Sequence, residues 1–146
     1  MDDSFDFDYL VKFCENLLEN KNKINNNHQC IYRTIISRLY YSAFHHAKSW
    51  LEINEELNTR EFNVETGKIE NKGGLSEHVQ VYKELRKTAK KQNNLKNEFR
   101  NASSKLEHLF HKRINADYDE SCKFSKIEVT DAIEDAKYII NLLPFN

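Results

Sequence analysis

No glycine or proline interrupts residues 28–51 of this 146-residue chain, and apolar side chains recur there at spacings of three and four. Tyr32, Ile35, Ile36, Leu39, Tyr40, Ala43, Phe44, Ala47, Trp50 and Leu51 carry the repeat. That period predicts a single α-helix of about six turns, about 36 Å long. Nearly half of its circumference is apolar, more than a surface helix needs, so it is expected at the centre of a bundle. The whole chain holds three Gly and one Pro. That is too few for a sandwich or barrel, which needs a turn about every 8–12 residues.

The flanking segments also read as helices. Over residues 5–19, Leu10, Phe13, Cys14, Leu17 and Leu18 form an amphipathic stripe. Asp2, Asp3, Asp6 and Asp8 crowd its start, where the helix dipole favours negative charge. The Asn-rich residues 20–27 end it. A third helix is predicted from Ser76, with Val79, Tyr82, Leu85 and Ala89 on one line. A fourth follows Asn94, with Leu95, Phe99, Ala102, Leu106, Leu109 and Phe110. Residues 114–124 read as a short connection. Ser125 and Glu128 have the spacing of a capping box and open a fifth helix. Its stripe is Val129, Ala132, Ile133, Ala136, Ile140 and Leu143, and Pro144 stops it. Residues 52–74 lose the period, hold all three Gly and read as an irregular excursion. The expectation is one all-α domain over residues 1–146, an up-and-down bundle of about five helices.

Charge is balanced overall, 22 Lys+Arg against 23 Asp+Glu, which excludes a uniformly basic nucleic-acid binder. Locally it is not balanced. Residues 1–19 sum to -5, residues 83–100 to +5 and residues 117–135 to -5. Lys83, Arg86, Lys87, Lys90 and Lys91 are the candidate contacts for an RNA backbone. The same residues also fit a solvated helix face. No apolar run approaches the roughly 18–20 residues of a membrane span, so no membrane partner is expected. The acidic start and three scattered cysteines (Cys14, Cys30, Cys122) suggest a cytoplasmic protein with reduced thiols.

Phosphate-binding glycine loops, nucleophile elbows and paired-cysteine or zinc-protease motifs are all missing. His108 and His111 stand three apart, but no third ligand at a recognisable spacing completes a metal site, so neither metal nor cofactor is expected. The central helix offers more. Arg38 and His45 are seven residues apart and point within about 20° of each other, with Cα atoms about 10 Å apart. Tyr41, Ser42 and Lys48 share that side. A guanidinium and an imidazole on one face hold a phosphate and move a proton, which is what RNA cleavage by 2'-hydroxyl attack requires. The same pair also fits two bundle-edge residues bonded to neighbouring helices.

SRLYYSAFHHAKSWL, residues 37–51, resembles the second helix of HEPN domains, which typically reads S-R-x-Y-Y-a-x-F-H-a-A. Ser37, Arg38, Tyr40, Tyr41, Ala43, Phe44, His45 and Ala47 match. RINADYD, residues 113–119, is similar to the R-x-x-A-D-Y segment after the fourth helix of one HEPN subgroup. The resemblance implies an all-α bundle that dimerises. Many relatives of this kind are metal-independent endoribonucleases of toxin–antitoxin, phage-defence or CRISPR-linked systems. Their toxins are often held by a nucleotidyltransferase-fold antitoxin. Other members are non-catalytic modules that bind a nucleotide or a protein.

The usual HEPN active site is an R-x4-6-H motif on a later helix, two copies meeting across the dimer interface. This sequence departs from it. After Arg113 come Asn115, Asp117 and Tyr118, and no His lies beyond His111. Only Arg38–His45 has a matching spacing. The candidate site is therefore composite, with Arg38, His45 and Arg113 as catalytic residues and Tyr41, Asp117 and Tyr118 in support. Its other form is a buried structural network in which Arg113 pairs with Asp117.

Overall fold

Six helices and one small hairpin build the chain in the computed structural model, which describes residues 6–24 and 27–145. The helices are α1 (Phe7–Glu19), α2 (Lys21–Ile24), α3 (His28–Asn54), α4 (Glu77–Ala89), α5 (Lys96–Tyr118) and α6 (Lys126–Leu142). The strands are β1 (Arg60–Asn63) and β2 (Lys68–Asn71). The architecture is the expected all-α bundle. Among the described residues no helix is long and apolar enough to cross a membrane. Asp2, Asp3, Asn25 and Asn26 lie outside the described residues.

The long apolar period does form one helix. α3 packs against α1, α4, α5 and α6. Ile35, Ile36, Leu39, Ala43, Ala47 and Leu51 are fully buried along it. Asn27 caps its start by accepting from the Cys30 amide. Solvent reaches a narrow strip that includes Thr34, Arg38 and His45.

α1 buries most of the expected stripe, with Val11 in it and Phe13 out of it. Val11, Cys14 and Leu18 are buried, whereas Phe13 is 56% exposed. Positions 7, 11, 14 and 18 make the true i, i+4, i+7, i+11 line. Phe13 stands about 100° away from Cys14 and falls off it. Asp6 caps this helix, and Asp8 pairs with Lys12 at 2.9 Å.

Residues 52–74 are irregular only in part. α3 continues three residues past Leu51, and the chain then forms an antiparallel hairpin. Phe62 faces Ile69 and Glu61 faces Glu70 across it. Asn63 accepts from the Glu65 and Thr66 amides, and Gly67 takes a positive φ of 68°. A glycine suits that position because it has no Cβ to clash. The base of the hairpin is tied to α4. Thr59 donates to Glu77 at 2.8 Å, and the Gln80 amide donates to the Thr59 carbonyl at 3.1 Å.

α5 runs to Tyr118, so residues 114–118 are helix rather than connection. The cause is a single side chain from α3. The Arg33 guanidinium donates to the carbonyls of Asn115, Ala116, Asp119, Glu120 and Cys122 and lies over the Phe124 ring at 5.8 Å. A helix end leaves its last carbonyls without intrahelical partners, and here a cation satisfies them. α6 opens with the expected capping box of Ser125 and Glu128.

Arg33→Ala removes this clamp. It is expected to lower unfolding free energy by about 2–3 kcal/mol, the scale of hydrogen bonds to a charged group. Ser125→Ala is expected to cost about 1 kcal/mol, the usual value for an N-cap. Urea denaturation of both variants checks the ranking.

Candidate functional site

The uncovered strip of α3 carries Arg38, Tyr41 and His45 one and two turns apart. With Phe7 and Leu10 of α1 they line an open cleft of about 350 Å³. The Arg38 guanidinium lies over the Tyr41 ring at 5.5 Å. The His45 imidazole runs nearly parallel to Phe7 (5.9 Å, 15°) and to Tyr41 (6.0 Å, 21°), the offset arrangement that aromatic pairs favour. Among the described residues no carboxylate lies within ion-pair distance of Arg38. Its charge therefore remains available to an anion.

Arg38 also borders a second, polar notch of about 300 Å³ with Arg33, Thr34, Ser37, Ala116 and Asp117. Beneath the strip sits Arg113, only 6% exposed. Its guanidinium lies 5.4 Å from the Tyr40 and Tyr41 rings and 5.5 Å from Phe110. One nitrogen is 3.6 Å from Asp117, whose carboxylate also accepts from Ser37 at 3.4 Å. The Arg113 Nε has no hydrogen-bond partner among the described residues. Aromatic faces thus supply much of what holds this cation in place. Of the six residues singled out in the sequence, Arg38, Tyr41, His45, Arg113 and Asp117 gather here. Tyr118, at the end of α5, is 75% exposed.

A residue that the sequence did not single out joins them. His78, in the first turn of α4, accepts or donates through Nδ1 at 2.5 Å from the Tyr40 hydroxyl. Its ring lies 5.3 Å from Phe110 and 4.6 Å from Phe44, and Phe44 is 5.0 Å from His45. No spacing rule links His78 to Arg38, because they come from different helices. The Ser76 cap of α4 and the Thr59–Glu77 bond bring it in.

Both imidazoles bind a proton less readily than usual. Burial against the neighbouring rings lowers His45 below its ordinary 6.5, and Lys48 adds to this while Glu77 opposes it. Burial also lowers His78, helped by Arg113 and His45 and again opposed by Glu77. Lys48 and Glu77 themselves pair at 3.4 Å. Burial pushes the Tyr40 hydroxyl well above its ordinary 10.0. At neutral pH the site therefore holds a guanidinium with no carboxylate partner among the described residues, two neutral imidazoles and a protonated phenol. A neutral imidazole beside a cation is suited to accept a proton from a substrate held by that cation.

The basic residues of α4 and its C-terminal end lie elsewhere. Lys83, Arg86, Lys87, Lys90 and Lys91 are all exposed, yet three of them pair with acids. Arg86 meets Glu107 at 3.3 Å, Lys87 meets Glu84 at 3.5 Å, and Lys91 meets Glu55 at 2.8 Å. Lys83 and Lys87 border a depression of about 230 Å³ beside Lys72 and Gly73 at the hairpin base. None of the five lines the Arg38 cleft. Among the described residues no group of three or more His, Cys, Asp or Glu side chains is placed to hold a metal ion.

The two lowered imidazoles give stability a pH signature. In the unfolded chain they bind protons near 6.5, and in the folded chain only at lower pH. Stability is therefore level above about 6.5 and falls as the pH drops toward the folded values. NMR titration is expected to place both midpoints below 6.5, and Lys48→Met is expected to raise that of His45. No family model, curated protein sequence or solved structure matches the chain.

Proposed function

We propose that this chain is a HEPN-type, metal-independent endoribonuclease of a toxin–antitoxin or phage-defence system, acting as a cytoplasmic homodimer. The observation that carries this reading is one open cleft that holds Arg38, without a carboxylate partner among the described residues, together with His45, whose burial makes it bind a proton less readily. In the proposed reaction Arg38 holds the scissile phosphate. His45 takes the 2'-hydroxyl proton as that oxygen attacks phosphorus, and the bond to the 5'-oxygen breaks, that oxygen taking a proton from water to leave as the 5'-hydroxyl. Arg113 acts from beneath. Its charge raises the potential at the cleft through the Tyr41 ring while the guanidinium stays enclosed. A nucleotidyltransferase-fold antitoxin is the partner this reading carries with it.

A second reading is a non-catalytic HEPN module that binds a nucleotide or a protein. One observation favours it. The later-helix arginine, Arg113, is enclosed by three rings and is followed by no histidine.

Cleavage of single-stranded and structured RNA in EDTA separates the two. The ribonuclease reading expects cleavage by the wild type and a loss of about 100-fold or more in Arg38→Ala and His45→Ala, the usual scale for such groups. The rate is expected to rise with pH through the lowered titration of His45, because only the neutral ring accepts a proton. An intact RNA pool with stable co-purification of a partner supports the second reading. Equal cleavage by wild type and both variants overturns the assignment of the site.

A further inference from the structure

We infer that the polar notch beside Arg38 is a base pocket selective for guanine, in which the Asp117 carboxylate accepts from the N1–H and N2 amino groups. This rests on the ribonuclease reading and names the nucleotide that lies next to the phosphate on Arg38.

Arg38 is shared by two depressions. On one side of it lies the cleft with Tyr41 and His45, and on the other the notch with Arg33, Thr34, Ser37, Ala116 and Asp117. Thr34, Ser37 and Arg38 stand at i, i+3 and i+4 on α3, so they share one face within about 6 Å of helix rise. Ala116 and Asp117, in the last turn of α5, close the notch from the other side. A group in the notch therefore lies beside the same guanidinium that borders the cleft.

The donors of the notch are largely spent. The Thr34 hydroxyl donates to the Cys30 carbonyl at 2.8 Å, and the Ser37 hydroxyl donates to Asp117 Oδ2 at 3.4 Å. The terminal nitrogens of Arg33 donate to carbonyls at and beyond the end of α5. The acceptors are not spent. A hydroxyl oxygen keeps its lone pairs when it donates, and a carboxylate can accept at both oxygens. Asp117 Oδ2 accepts from Ser37 and faces Arg113 at 3.6 Å, whereas Oδ1 has no partner among the described residues. The Asp117 side chain is 28% exposed, so a ligand can reach it. The notch thus offers oxygens beside one guanidinium, and the complementary ligand face is rich in N–H.

Charge narrows the ligand further. Arg33 and Arg38 line the notch, and Arg113 faces Asp117, so an ammonium or guanidinium ligand would meet three cations for one carboxylate. A neutral base meets no such repulsion. Among the RNA bases guanine carries two adjacent donors, N1–H and the N2 amino group, which match the two oxygens of a carboxylate. Adenine and cytosine set one amino group beside a ring nitrogen that accepts. Uracil sets its one N–H between two carbonyls. Each of these turns a lone pair toward Asp117, and a polar pocket rejects a ligand that leaves its groups unpaired. Single-stranded RNA presents this edge of the base for such reading.

Fluorescence anisotropy of the full chain tests this, with 2'-O-methyl oligouridines that carry one central G, inosine, A or C and cannot undergo 2'-attack. The G oligonucleotide is expected to bind about tenfold or more tighter than the A and C ones, the scale of one hydrogen bond to a charged acceptor. Inosine keeps N1–H but lacks the amino group, and is expected between G and A. Asp117→Asn replaces one acceptor oxygen by an N–H donor. It is expected to bring G and A within about threefold of each other, whereas Arg38→Ala weakens all four alike, as loss of a phosphate contact does. Equal affinity of the wild type for all four overturns the inference and leaves the RNA reading standing. So does a preference for G that persists in a folded Asp117→Asn. If that variant does not fold, inosine decides on the wild type, and inosine bound as tightly as G overturns the inference. Failure of the wild type to bind any of the four overturns the RNA reading and this inference with it.

Discussion

The burial of α3 is the constraint on which the molecule depends. α1, α4, α5 and α6 pack along it, and six of its aliphatic side chains are fully removed from water. Each such side chain contributes about 1.5–3 kcal/mol, or less for alanine, when taken out of solvent. A helix used on so much of its circumference leaves only a narrow strip free. The residues on that strip are not needed for packing, and Arg38 and His45 are among them. The candidate site is thus what remains of a helix after the core has taken its share.

Beneath the strip the interior is polar in a controlled way. Arg113 carries a charge into a space where an unpaired ion is costly. Three aromatic faces and a longer-range carboxylate stand in for water. Tyr40 finds His78, and Arg33 spends its donors on the end of α5. These bonds link α3 to α4 and α5 by direction as well as by contact. Apolar packing alone would tolerate rotation or sliding of a helix; a guanidinium in a cage of rings does not. The rigidity that the cleft needs comes from this layer.

Much of this is legible from spacing. The α3 period, the Ser125–Glu128 box and the alignment of Arg38 with His45 follow from 3.6 residues per turn. So does the all-α class. Other features are set by partners distant in the chain and leave no local trace. α5 outlasts its apparent end because Arg33, over 80 residues earlier, satisfies its carbonyls. The hairpin has strands of four residues, and its apolar pair, Phe62 and Ile69, faces solvent instead of a core. Neither length nor burial therefore announces it. Val11 and not Phe13 is buried because it lies on the line of Phe7, Cys14 and Leu18, and an apolar residue beside that line reads the same in sequence. His78 enters the site only through the tertiary placement of α4. A histidine just after the Ser76 cap signal, ahead of an apolar line, is the one hint the sequence holds.

The central claim is that Arg38 and His45 drive attack by a 2'-hydroxyl. The chemical identity of the RNA ends tests it most directly. Mass spectrometry of products formed by the purified full chain is expected to find 2',3'-cyclic phosphate on one fragment and a 5'-hydroxyl on the other. Fragments bearing a 3'-hydroxyl and a 5'-phosphate, or RNA that stays intact, would contradict it.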